Sequence, residues 1–224
     1  MKKNNNTSLI LVPAYNEELN IVNTLSEIPG SIDVLVINDG STDKTEKICK
    51  VSNVSVISHK YNMGYEAALV TGVEYFLRSS YDKFVVIDAD GEIDPKDAAA
   101  ILQELNIVKP MICGYRKTNK GRFVEKIIGK IAHSLFGIMD IYCGCKGFHR
   151  SILLPHDAKE ICSGIFTEFA LARSRVIKVV NMPVAGNPRT GRSKFGSGLF
   201  TNVRLCISFM IGVFKAFWPS KSFK

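Results

Sequence analysis

Metal-binding spacing is the first thing missing from this chain of 224 residues. Its six cysteines, at 49, 113, 143, 145, 162 and 206, include no CxxC pair. Cys143-Gly144-Cys145 has no second pair at zinc-site distance, which argues against a structural zinc. The four histidines, His59, His133, His149 and His156, also lack ligand spacing and read as structural or surface residues. No secretory signal stands at the N-terminus: the first apolar run, Leu9 to Val12, is cut short by Pro13, as befits a strand. Reduced, buried thiols in a cytoplasmic protein are therefore expected. Repeats and low-complexity linkers are absent. So is a hydrophobic run long enough to cross a bilayer. Near the C-terminus Arg204 and Lys215 bracket only ten residues, about 15 Å of helix against a hydrocarbon core of about 30 Å.

What is present has an ordinary globular balance, 46% hydrophobic and 22% charged, with a net charge of +8. The positive charge is clustered. Arg116, Lys117, Lys120, Arg122, Lys126 and Lys130 are opposed only by Glu125, and Arg189, Arg192 and Lys194 form a second group. Taken alone, a run of lysines is a solvated helix face; two clusters point to polyanions, whether nucleic acid, diphosphates or an anionic membrane.

Short β-rich runs at 8–12, 33–38, 54–58, 83–88 and 110–113 alternate with helical patterns near 17–27, 42–51, 65–79 and 95–106. Asp94 suits an N-cap and Pro95 the first position of the last of these helices. Such alternation, with nearly continuous apolar strands, predicts an α/β domain with a mostly parallel sheet covered on both faces. Beyond about 122 the pattern becomes a helix at 122–138, an irregular stretch at 140–150, a helix near 164–174 and a strand at 176–182. Ligands on parallel sheets bind at the carboxyl ends of the strands. The loops after residues 12, 38 and 88 therefore should meet at one site.

Those loops are the most polar in the chain: "PAYNEE" (13–18), "NDGSTD" (38–43) and "DADGEID" (88–94). A lone DxD is a turn device more often than a cation site. At the end of a buried strand, Asp88 and Asp90 offer hard oxygens suited to Mg²⁺ or Mn²⁺ bridging to phosphates. Asp39 ends a neighbouring strand and is either an acceptor for a nucleobase or ribose, or an Asx turn or helix cap. Tyr15 and Glu17 line the same region, unless Glu17 is simply a favourable acid in a first helical turn. Gly40 and Gly91 allow the tight exits both loops need.

"VPAYNEE", "VINDGSTD", "NMGYEAAL" and "VVIDADGEIDP", in this order and spacing, resemble the inverting family 2 glycosyltransferases of the GT-A fold. The subgroup they resemble most is the dolichyl- or polyprenyl-phosphate sugar synthases. "GYRK" (114–117), "DIYCGCKGFHR" (140–150) and "RTGRSK" (189–194) resemble later motifs of that subgroup. The resemblance implies that Pro13, Tyr15, Glu17, Ile37 and Asp39 hold the nucleoside of a UDP- or GDP-sugar. It implies that Asp88, Ala89 and Asp90 bind ribose, metal and diphosphate, and that Arg116, Arg189 and Lys194 meet the donor diphosphate or an acceptor phosphate. Glu92 stands where relatives often carry an amide or histidine, beside the metal and phosphates. Nucleic acid is not among the implied partners.

Two acceptors follow from the resemblance. A polyprenyl phosphate is already anionic and needs cations, whereas a saccharide hydroxyl needs a base, for which Glu168 in "GIFTEFALARS" is placed by motif. Residues 1–197 are expected to form the transferase domain. In 198–224, Leu199, Val203, Ile207, Met210, Phe214 and Phe217 make one apolar stripe, with Thr201, Arg204, Ser208 and Lys215 opposite. That pattern fits a helix lying on an anionic membrane at the cytoplasmic face, or one packed on the core or a second subunit of a homo-oligomer.

Overall fold

A computed structural model describes residues 7–117, 123–154, 156–162 and 176–186, together with 203, 206, 207, 209, 210 and 213. Seven strands form one sheet: β1 (Ser8–Ala14), β2 (Asp33–Asn38), β3 (Ser55–Ser58), β4 (Lys83–Val86), β5 (Met111–Arg116), β6 (Lys146–His149) and β7 (Val179–Val184). Their order is β3-β2-β1-β4-β6-β5-β7. The first four are mutually parallel, as is the β5–β7 pair, while β6 runs antiparallel to both β4 and β5. The expected mostly parallel α/β sheet is what forms.

Helices α1 (Ile21–Ser26), α2 (Thr45–Val51), α3 (Tyr65–Arg78), α4 (Pro95–Glu104), α5 (Phe123–Phe136) and α6 (Ala158–Cys162) cover it. Alternate side chains of each strand enter opposite layers. Leu9, Leu11, Leu35, Ile37, Phe84 and Val86 join α3, α5 and α6 on one face; Ile10, Val12, Val36, Val85 and Ile87 join α1 and α4 on the other. At α4 the Asp94 side chain accepts from Lys96 N at 2.8 Å and Pro95 opens the helix, the start read from sequence.

The stretch at 140–150 departs from its irregular reading. It contains β6, whose four residues are too few to show a period, and β6 inserts between β4 and β5 to close the sheet. Helix α1 also starts later than residue 17. Glu17 instead makes a turn, its carbonyl accepting from Asn20 N and Ile21 N, so it is not a first-turn acid.

Arg150, the last residue of that motif stretch, is a structural clamp. Its guanidinium donates to the carbonyls of Phe76, Leu77, Ser79 and Tyr81 at 2.7–3.2 Å. It also lies 4.6 Å from the centre of the Phe76 ring. A cation there adds to the Ser79 bonds on Phe76 O and meets the carbonyls of Leu77, Ser79 and Tyr81 at and just past the end of α3.

Near the C-terminus Phe209 is buried in the core layer shared with α5 and α6, and Val213 packs against it. Val203, Ile207 and Met210 are exposed. Among the described residues, no helix is long and apolar enough to cross a membrane.

Candidate active site

The three polar loops converge at the carboxyl edge of β1, β2 and β4. Between the β1 and β2 loops, Asn16 N donates to Ser41 Oγ at 3.0 Å, Glu17 N to Thr45 Oγ1 at 2.8 Å, and Thr42 N to Asn16 Oδ1 at 2.8 Å. Thr24 Oγ1 ties α1 to the β4 loop through Ala89 O at 3.3 Å. Gly40 adopts φ +67°, and a Cβ there would fall 2.3 Å from the backbone of Tyr61, so residues 61–62 lie directly on the β2 loop. Only glycine serves at such a position.

Asp39 is buried, and its carboxylate is held by the segment that leads into α3. Oδ1 accepts from Met63 N at 2.9 Å and meets His59 Nδ1 at 2.7 Å; Oδ2 accepts from Gly64 N at 2.8 Å. His59 Nε2 in turn lies 2.9 Å from Thr71 Oγ1 on α3. The next residue, Tyr65, donates its hydroxyl to Asp88 Oδ1 at 2.6 Å. Burial, followed by the adjacent Asp88 charge, pushes the Tyr65 phenol well above its ordinary pKa, so it remains a donor. Two consecutive residues, Gly64 and Tyr65, thus grip the acids that end β2 and β4.

Asp88 Oδ2 lies against Gly144, where an added Cβ would come within 2.1 Å of it. Asp90 is buried, and its Oδ1 accepts from Glu92 N at 3.0 Å. Among the described residues no cluster of three or more metal-ligating side chains occurs. A cation here would therefore rest on at most two carboxylates and take its other ligands from phosphate and water. That donor set suits Mg²⁺ or Mn²⁺.

Arg116 ends β5 with its guanidinium forked onto Asp140, Nε to Oδ2 at 2.9 Å and Nη2 to Oδ1 at 3.2 Å. Burial alone would lower its pKa, but the hydrogen bonds and charge of Asp140 raise it further into the charged range. Nη1 carries no partner among the described residues. Asp140 is itself buried and also accepts from Tyr142 N at 3.2 Å.

The remaining expected residues divide. Tyr15 is half-buried at the start of the β1 loop, and Glu17 is buried with Oε2 accepting from Asn20 Nδ2 at 2.8 Å. Pro13 is buried near the end of β1, and Ala89 is buried in the turn that follows β4. Ile37 turns its side chain into the core against Gly72 rather than toward the crevice, because inward and outward positions alternate along β2. Glu168, Arg189, Arg192 and Lys194 lie outside the described residues.

Sequence reasoning missed His59, Tyr65, Asp140 and Gly144 as parts of this constellation. Tyr65 and Asp140 stand inside quoted motifs, "NMGYEAAL" and "DIYCGCKGFHR". What they touch lies 23 and 24 positions away along the chain.

This constellation, acids at the carboxyl ends of the parallel strands β2 and β4 on either side of β1, is that of a nucleotide-sugar transferase of the GT-A fold. The chain belongs to the glycosyl transferase family 2, whose profile matches residues 9–154. An uncharacterized protein of Methanocaldococcus jannaschii is 35% identical over 126 residues, 55% of this chain and 49% of that one. The match thus spans about half of that relative. The UDP-N-acetylglucosamine–dolichyl-phosphate N-acetylglucosaminyltransferase of Methanococcus voltae is 26% identical over 93% of this chain and 92% of its own length. The polyprenol monophosphomannose synthase of Mycolicibacterium smegmatis is 26% identical over 70% of this chain and 66% of its own. Among solved structures, the glucosyl-3-phosphoglycerate synthase of Mycobacterium tuberculosis superposes with a TM-score of 0.70 at 16% identity, covering 93% of this chain and 80% of that one. That likeness establishes the shared fold.

Proposed function

We propose that this glycosyltransferase moves a sugar from a UDP- or GDP-sugar to the phosphate of a polyprenyl phosphate, with Mg²⁺ or Mn²⁺ held at Asp88 and Asp90. The observation that carries the reading is that consecutive residues, Gly64 and Tyr65, hold the acids that follow β2 and β4, Asp39 and Asp88. Structures of the Mycobacterium tuberculosis synthase hold Mn²⁺ with UDP, which supports the same occupants here. Asp39 binds the nucleoside, while Tyr65 and Gly144 fix the Asp88 carboxylate. A bound divalent ion neutralises charge gathering on the leaving nucleoside diphosphate. Arg116, kept in place by Asp140, offers its remaining donors to phosphate oxygens. A phosphate oxygen of the acceptor attacks the anomeric carbon as its bond to the donor diphosphate breaks. An acceptor already anionic supplies the nucleophile without a base. Glu168, which a saccharide hydroxyl would require, would carry the rival reaction.

The acceptor assignment rests on relatives named for dolichyl- or polyprenyl-phosphate transfer. An exposed face adds support: α5 turns Ile127, Ile131 and Leu135 outward at a spacing of four, with exposed Lys126 and Lys130 beside them and Met139 just beyond. With the outward Val203, Ile207 and Met210 of 198–224, this basic, apolar surface suits peripheral attachment to an anionic membrane at its cytoplasmic side.

The test is transfer of radiolabelled sugar from UDP- and GDP-sugars to polyprenyl phosphate, with Mn²⁺ and with EDTA. Metal-dependent formation of a lipid-linked sugar is expected. Transfer to a saccharide alone, abolished by Glu168→Gln, would replace the lipid reading. In parallel, wild-type protein should pellet with anionic vesicles and an Ile131→Asp variant should not. A salt-resistant homo-oligomer that the same variant dissociates would make this face a subunit contact instead.

A further inference from the structure

We infer that His59 is a positioning residue that shapes the Asp39 carboxylate for a base with a single ring N–H, and so selects uracil over guanine. The inference rests on the proposed nucleotide-sugar site and adds to it which nucleotide is taken.

A carboxylate offers about four lone-pair positions, two on each oxygen. On Asp39, Met63 N and His59 Nδ1 fill both positions of Oδ1, and Gly64 N fills one of Oδ2. Among the described residues, the single open position is therefore on Oδ2. A carboxylate only accepts, so His59 Nδ1 carries the hydrogen. The ring is kept in that orientation by Thr71 Oγ1 at Nε2 and by the His59 backbone, whose N donates to Asn38 O at 2.9 Å. His59 and Asp39 are nearly closed to solvent, with side chains 9% and 4% exposed. Water is thus a poor substitute for either partner.

The two bases differ in what they ask of a carboxylate. Guanine presents N1–H and an amino N–H side by side, a pair that needs one free position on each oxygen. Uracil presents one N3–H between two carbonyls and needs one free position in all. With Oδ1 filled, Asp39 serves the second pattern, and guanine would keep a buried donor unpaired. A site built around such a donor count rejects the mismatched partner strongly.

Isothermal titration of the full chain with UDP and with GDP, each with Mn²⁺, tests this directly. UDP should bind about tenfold or more tightly than GDP. Equal affinities, or a preference for GDP, overturn the inference and leave the transferase reading standing. If neither nucleotide binds, both fall. His59→Asn retains an amide nitrogen near the Nδ1 position and should keep the UDP preference. His59→Gln moves that nitrogen toward the Nε2 position, and the preference should shrink severalfold. A His59→Gln protein that folds and discriminates as wild type would show that His59 does not set the choice.

Discussion

Gly144→Ala is the sharpest single perturbation the site offers. The added methyl group would stand 2.1 Å from Asp88 Oδ2 and 2.8 Å from its Cγ. Carbon–oxygen contacts settle at about 3.3 Å or beyond, so one partner must give by about 1 Å. Asp88 cannot retreat freely, because Tyr65 holds its other oxygen at 2.6 Å. Gly144 is also not at positive φ, so the effect is steric and free of backbone strain. Overpacking costs about 1–3 kcal/mol, and the half-buried Asp88 can swing partly toward solvent, which favours the lower end for stability. Activity should fall further, since a 1 Å misplacement of a catalytic group costs about 10²-fold in rate. Turnover, Mn²⁺-dependent UDP binding and Tm should be measured together. Gly129→Ala is the control: its Cβ would meet only Met139 O at 3.7 Å, and in mid-helix it should be neutral or slightly stabilising. A Gly144→Ala enzyme with wild-type turnover and metal affinity would refute the placing of Asp88 at the reacting centre.

Tyr65→Phe removes one hydrogen bond to a charged acceptor and should lower turnover about tenfold or more with little change in Tm, as read in a steady-state assay. Arg150→Ala removes four charge-assisted hydrogen bonds to carbonyls, of which Phe76 O keeps its Ser79 donors, and should cost about 2–3 kcal/mol in urea unfolding, without altering KM for the donor. Burial raises the thiols of Cys49 and Cys113 to about 11 and that of Cys143 to about 12. The thiolate is the reactive form, so these stay protonated and unreactive at pH 8. Exposed Cys206 should be the thiol that a disulfide reagent labels in the native protein, with all six labelled after denaturation. Rapid native labelling of Cys143 would contradict its burial.

The parts of the fold that could be read from sequence were those with a local cause. Strand β2 falls on 33–38 as expected because its apolar run is closed by Asn38 and Asp39, and α4 starts at Pro95 because Asp94 caps it. Strand β6 was hidden for the opposite reason. Its order comes from neighbours on both sides, β4 and β5, while "KGFH" alone has neither period nor length. Arg150 shows how a motif can mislead about role. It closes a stretch that resembles a motif of the polyprenyl-phosphate sugar synthases, yet its guanidinium ends α3 and donates to backbone carbonyls there.

At the site, sequence identified the acids but not what holds them. Asp39, Asp88 and Asp90 are conspicuous because carboxylates at the ends of apolar strands break the local pattern. The hydroxyl of Tyr65 and the amides of Met63 and Gly64 break no pattern, since a tyrosine at the start of an amphipathic helix is unremarkable among core residues. Their role comes from the crossover that returns residues 59–64 across the end of β2 and so presents α3 to both acids at once. Asp39 and Asp88 are fixed by a single segment, and displacing it should disturb nucleoside binding and metal binding together. In Tyr65→Phe, where only the Asp88 contact is lost, Mn²⁺ affinity should fall while binding of uridine, which carries no phosphate, stays as in wild type. Loss of both in equal measure would mean that the hydroxyl holds the whole segment in place rather than one carboxylate.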